Sequence, residues 1–94
     1  MEEINKYLAD AVEKLLPSSF KNDINKYDDK KYHRWIKGDI CSQALYIELN
    51  KKNVLKIWEH HFLGEYRNAE RKIIIKMPIN SIEDIIKCFK YAKV

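Results

Sequence analysis

Glycine, proline and cysteine each occur only twice in the 94 residues, and these scarcities exclude several functions at once. Gly38 and Gly64 stand far apart, so no glycine-rich loop can be built from them to cradle a phosphate. Cys41 and Cys88 have no CxxC spacing, which leaves two reduced, buried thiols as the reading rather than a disulfide or a zinc site. Long apolar runs are missing too. The longest in the strand-like region is Ile73-Ile74-Ile75, far short of a membrane span, and the acidic start Met1-Glu2-Glu3 is unlike a secretory signal. An intracellular protein, in cytoplasm or nucleus and without a membrane partner, is expected.

What is present is a soluble, folding composition. Hydrophobic residues make up 46% and charged residues 34%, which fits one domain around a single modest core. The net charge of +4 leans towards an anionic partner. Its distribution says more, because residues 1–16 hold the acids Glu2, Glu3, Asp10 and Glu13 against two lysines, so the basic excess lies further along. Lysine greatly outnumbers arginine, and Ile and Asn are abundant. That bias fits an AT-rich genome, such as that of a virus or low-GC bacterium. It also disfavours base-edge readout, where the forked guanidinium is the usual tool.

Two segments read as helices. Ile4, Tyr7, Leu8, Ala11, Val12, Leu15 and Leu16 follow helical spacing across residues 2–16, and Pro17 stops that helix. Near the other end Asn80 or Ser81 caps a helix with Glu83 and Asp84 in its first turn and Lys87, Lys90 and Lys93 near its end. Its apolar stripe is Ile82, Ile85, Ile86 and Phe89, with Cys88 and Ala92 at the margin. Residues 17–31 are polar and read as a linker anchored by Phe20 and Ile24. Residues 32–37 fit either a helix or a strand. The strand is preferred, and it would split Tyr32, Arg34 and Ile36 from His33, Trp35 and Lys37.

Between the helices the period changes to two. Leu45, Ile47 and Leu49 alternate with Tyr46 and Glu48; Leu55 and Ile57 alternate with Lys56, Trp58 and His60; Ile73, Ile75 and Met77 alternate with Lys72, Ile74 and Lys76. If the aliphatic sets share one face, the other displays Lys56, Trp58, Lys72 and Lys76, with Tyr46 and His60 nearby. Aligning Leu49 with Leu55 and Ile47 with Ile57 needs an odd-numbered loop. A three-residue turn, Lys51-Lys52-Asn53, with Asn53 in the left-handed region meets that condition. Rings interleaved with lysines are what single-stranded nucleic acid needs, since bases stack on flat rings and ammonium groups follow phosphates. An ordinary solvated face with cross-strand pairs has the same composition and is the competing reading.

Three stretches also resemble the positive cofactor four family of single-stranded-DNA-binding transcriptional coactivators, across about Tyr32 to Ala92. They are Ala44 to Leu55, with a lysine-bearing hairpin tip; Leu55-Lys56-Ile57-Trp58-Glu59-His60-His61-Phe62, before the polar loop at Gly64-Glu65; and Arg71-Lys72 through Ile82 and Ile85. The family usually has Gly after its basic pair, where Ile73 stands, and a Trp where His61-Phe62 stand. The N-terminal helix is an addition. The resemblance implies an α+β fold, a curved four-stranded antiparallel sheet followed by a covering helix, and a homodimer. It implies phosphate contacts from Lys51, Lys52, Arg71 and Lys72, and stacking by His61 or Phe62. The face pattern nominates Lys56, Trp58 and Lys76, with His60 nearby; the two routes agree on Lys72 but differ on which parity of the strand from Val54 to Phe62 faces the nucleic acid, and a β-bulge between Trp58 and Phe62 would reconcile them.

Catalytic chemistry is not visible. His60 and His61 are adjacent in a strand and point to opposite faces, so they do not share a metal ion. Glu48 and Glu59 read as cross-strand partners for lysines rather than an acid–base pair. The expected function is binding of single-stranded or melted DNA, with RNA not separable, as a transcription or replication accessory factor that is not an enzyme and needs no cofactor. The N-terminal helix either caps the core or recruits a protein partner. The alternative is a small protein-interaction module, of immunity, antitoxin or phage-inhibitor type, that meets an acidic protein and uses Trp35, Trp58 and Tyr66 as anchors.

Overall fold

Period-two alternation in the middle of the chain and helical stripes at its ends produce a sheet with both helices on one side. A computed structural model describes residues 6–22, 32–39, 43–62 and 69–94. The order is α1 (Lys6–Leu15), β1 (Lys21–Asn22), β2 (Tyr32–Gly38), β3 (Gln43–Asn50), β4 (Val54–Phe62), β5 (Ala69–Pro78) and α2 (Ile82–Ala92). The strands form an antiparallel meander in sequence order, β1-β2-β3-β4-β5. The four-stranded expectation is corrected to five, because Lys21 and Asn22, within the expected linker, pair with Ile36 and Trp35. Residues 32–37 take the strand form, in register with β3 from Tyr32 opposite Asn50 to Gly38 opposite Ala44. Gly38 is required there: its φ is +98° and an added Cβ would lie 2.4 Å from the Gln43 carbonyl oxygen.

The β3–β4 hairpin has the anticipated register, with Ile47 opposite Ile57 and Leu49 opposite Leu55. Asn53 adopts φ 61°. Its N–H donates to the Asn50 carbonyl at 3.0 Å, and the Asn50 side-chain oxygen accepts from the N–H groups of Lys52 and Val54. This turn also holds the start of the last helix, since the Ile79 N–H donates to the Asn53 carbonyl at 2.8 Å. Ser81 caps α2 by accepting from the Asp84 N–H, while the Asp84 carboxylate accepts from the Asn80 N–H at 2.8 Å.

One core lies between the sheet and the helices. Trp35, Ile47, Leu49, Leu55 and Ile57 meet Leu8, Val12, Ile85, Cys88 and Phe89 there, with Ile79 closing one end. Burial raises the Cys88 thiol pKa, with the Asp84 charge adding to it, so Cys88 is a protonated core residue. Cys41, Ile4, Ile24, Gly64 and Tyr66 lie outside the described residues. No helix among the described residues is long and apolar enough to cross a membrane.

Three expectations about apolar sets change. Trp35 is a core residue, not a surface anchor. The helical stripes rotate: Tyr7 and Leu15 on α1 and Ile82 and Ile86 on α2 stay exposed, while Ala9 and Cys88 are buried. The buried arcs are Leu8, Ala9, Ala11 and Val12 on α1 and Ile85, Cys88 and Phe89 on α2. Finally, β5 carries a bulge. Ile57 pairs with Ile75 but Trp58 pairs with Ile73, so Ile74 is the extra residue. The irregularity lies at Ile57/Trp58 rather than between Trp58 and Phe62. Ile74 and Ile75 both pack against the core, and Ile73 is turned out with 54% exposure.

This register gives a contrast that urea unfolding can measure. Ile57→Ala should cost about 2–5 kcal/mol by leaving a cavity. Ile73→Ala should cost under about 1 kcal/mol, because its side chain already meets water. Equal losses would mean that Ile73 belongs to the core.

Candidate functional site

The sheet face away from the helices has a second, smaller cluster, and strand pairing arranges it in rows. One row crosses four strands as Arg34, Glu48, Lys56 and Lys76. The next is Ile36, Tyr46, Trp58 and Ile73, and the third is Gly38, Ala44, His60 and Arg71. An aromatic and apolar row is therefore flanked on both sides by cations. Rows on one face are two residues apart along a strand, about 6–7 Å, and neighbours within a row are about 5 Å apart.

The centre is a stacked pair. The Tyr46 and Trp58 rings lie 4.9 Å apart at an interplanar angle of 10°, and His60 approaches Tyr46 edge-on at 6.2 Å. Such directly opposite aromatic pairs stabilise a sheet beyond the area they bury. Cations close over them. The Arg34 guanidinium carbon lies 5.5 Å from both ring centroids, Arg71 lies 5.5 Å from Trp58, and the Lys56 ammonium lies 4.9 Å from Trp58. In consequence Trp58 is only 3% exposed and Tyr46 only 5%. The aromatic row is roofed by charge, and its faces are not bare to solvent.

Glu48 is the one carboxylate among the described side chains of this cluster. It contacts Arg34 at 3.4 Å and Lys56 at 3.5 Å, both from partly buried positions. Among the described residues, four cations, Arg34, Lys56, Arg71 and Lys76, share this face with one acid, and Lys56 and Lys76 are direct cross-strand neighbours. Like charges placed opposite each other repel. Their cost is lowered when an anion sits between them. Among the described residues the arrangement thus sets an excess of positive charge above a flat aromatic base, which can receive phosphates or carboxylates.

The anticipated site residues divide accordingly. Lys56, Trp58, His60 and Lys76 share the face as expected, and the bulge brings Arg71 there in place of Lys72. Lys72 pairs with Glu59 on the opposite parity, so the expected grouping of Trp58 with Lys72 is corrected. His61 is also on that other side, with its Nε2 3.0 Å from a Glu59 carboxylate oxygen. Glu59 thus stands opposite a lysine as expected and also contacts His61, and Glu48 contacts Lys56 as expected. Lys51 and Lys52 are exposed at the hairpin tip, apart from the aromatic row. Phe62 closes β4, and its side chain is outside the described set.

Sequence reasoning missed Arg34 as a site member. The signal was available, since the strand form of residues 32–37 puts Arg34 beside Ile36 and away from Trp35. Only the pairing of β2 with β3 brings it over Tyr46. No family model, curated protein or solved structure matches the chain.

The roofed stack makes a direct prediction. Trp58→Ala should destabilise the protein by about 3–5 kcal/mol, as for a buried aromatic. A solvent-facing stacking residue would lose at most about 0.5 kcal/mol in the same denaturation experiment.

Proposed function

We propose that the protein binds single-stranded or melted DNA through the sheet face opposite its helices, as an accessory factor in transcription or replication. The observation carrying this reading is the Tyr46–Trp58 stack enclosed by Arg34, Lys56 and Arg71, with Glu48 the one acid among the described residues of that face. Phosphates neutralise the flanking cations. Bases stack on guanidinium planes that themselves rest on the rings, or on the rings after a cation swings aside to a phosphate. The sheet-then-helix order and the lysine-bearing hairpin tip, which resemble positive cofactor four proteins, support the same reading. Lys51 and Lys52 would extend the track of phosphate contacts beyond the aromatic row.

Direct base-edge readout is not expected, because the arginines of this face lie against rings and Glu48 rather than extending outward as free forks. Binding should therefore tolerate most sequences and depend steeply on salt. The same cation-roofed face favours a second reading, an acidic protein partner, because its outermost groups accept carboxylates as well as phosphates.

Titration of a labelled single-stranded oligonucleotide over a range of salt concentrations tests the proposal. Arg71→Gln and Lys76→Gln should each reduce the slope of log affinity against log salt by about 0.7, the value for one lost phosphate contact on a single strand. Lys72→Gln, on the opposite side of the sheet, should leave it nearly unchanged. No binding at low salt would overturn the proposal. Binding of oligo-aspartate as tight as that of an oligonucleotide of equal charge would favour the acidic-protein reading, and preference for RNA would change the nucleic acid but not the surface.

A further inference from the structure

Strand pairing gives the one acid of the described cationic face a particular place in it. Glu48 lies on β3 directly between Arg34 of β2 and Lys56 of β4. One carboxylate oxygen, Oε1, accepts from the Arg34 guanidinium at 3.4 Å, and the other, Oε2, faces the Lys56 ammonium at 3.5 Å. A phosphodiester offers the same pattern, two oxygens that share one negative charge. The two cations also stand over the rings, Arg34 over Tyr46 and Trp58 and Lys56 over Trp58. Each is therefore drawn in two directions, by a ring and by the acid.

Both contacts are longer than the roughly 2.7–2.9 Å of a tight charge-assisted hydrogen bond. The cations can turn outward without breaking such a bond. Glu48 lies deeper than they do, its side chain 15% exposed against 23% for each cation, so it stays behind when they turn. We propose that Glu48 fills the seat of a phosphate, and that a bound strand takes Arg34 and Lys56 away from it.

This rests on the function proposed above, and it names how that face chooses its ligand. A ligand with charge alone gains little, since it replaces one anion by another at the two cations. It also comes to lie beside the carboxylate left behind, and like charges repel. A ligand with bases gains more. Cations drawn out to its phosphates uncover Tyr46 and Trp58, and a base stacks there. Glu48 is thus a specificity-determining residue that disfavours bare polyanions and favours chains that carry flat rings. An ordinary cross-strand ion pair would make the same contacts without telling the two ligands apart.

Two strands of equal length and charge separate these roles: oligo-thymidylate and its abasic counterpart, titrated at low salt against the full chain. The parent should prefer thymidylate by about tenfold or more, the scale of one stacked base. Glu48→Gln, nearly the same shape, should tighten both strands but the abasic one more, lowering the preference by about threefold or more. Glu48→Asp keeps the charge but loses the reach to both cations, and should lower the preference by a separate route. Glu59→Gln, which removes one charge on the opposite side of the sheet, should leave it as in the parent. In a Lys56→Gln background the gain from Glu48→Gln should largely vanish, because the seat needs both cations. Equal gains for the two strands, a parent without preference, or a gain that survives the loss of Lys56 overturns the inference. So does a Glu48→Asp variant with the parent preference.

Inorganic tripolyphosphate distinguishes the seat from the function. If it binds Glu48→Gln more tightly than the parent, only while Lys56 is present, and neither strand binds any variant, the nucleic-acid reading falls and the seat stands. If thymidylate binds and no Glu48 substitution alters the preference, the seat falls and the function stands.

Discussion

The left-handed residue Asn53 sets the organisation of the sheet. Its φ of 61° closes β3 onto β4 through an odd number of turn residues, so Leu49 meets Leu55 and Ile47 meets Ile57. A change of one residue in that turn would invert every side chain of β4. Lys56 and Trp58 would then enter the core, and Leu55 and Ile57 would face water. Asparagine tolerates the left-handed region better than most residues, and Asn50 supports it by accepting two backbone N–H groups from the same turn. The Asn53 carbonyl also receives the Ile79 N–H, so one turn fixes both the parity of the sheet and the entry of the chain into α2.

That parity divides the molecule into two hydrophobic assemblies with different physics. On the helix side, aliphatic residues pack with Trp35, Cys88 and Phe89, and among the described residues no polar or charged residue is buried there. On the outer side, a stacked Tyr–Trp pair is shielded not by more apolar surface but by the stems and heads of Arg34, Lys56 and Arg71. Long cationic side chains can cover apolar area while their charges keep contact with water. This solves a problem for a small sheet with one layer of helices, whose second face would otherwise expose two large rings. The same solution concentrates positive charge, and Glu48 offsets only part of it.

Much of this could be read from residue order, and where it could not the reason is local. Strand alternation, the hairpin register, the strand form of residues 32–37 and the Ser81 cap follow from short-range chemistry. The bulge does not. Ile73, Ile74 and Ile75 are the same residue, so no pattern of polarity could show which of them is the extra one. That ambiguity spread to the site, because the position of the bulge decides whether Arg71 or Lys72 joins Trp58. Helix orientation was obscured for a related reason: Tyr7, Leu15, Ile82 and Ile86 fit the apolar stripes as well as Ala9 and Cys88 do, and only the docking of the helices on the sheet selects which of them are covered. The short β1 was hidden because Lys21 and Asn22 carry no apolar alternation and pair solely through their backbone.

The bulge connects the stability of the sheet to the chemistry of its outer face. Without it, Lys72 would lie beside Trp58 and Arg71 would turn to the helix side. With it, a planar guanidinium rests against the indole, and Ile74 takes the core-side place beside Ile75 that Ile73 would otherwise fill. A guanidinium holds an aromatic face and an anion at once more readily than an ammonium does, because it is planar, more weakly hydrated and has several donors at its edge. One inserted residue thus keeps two isoleucines beneath the sheet and replaces a point charge with a flat one above it. It also bends β5, the long edge strand, and twists its unpaired backbone away from simple edge-to-edge pairing.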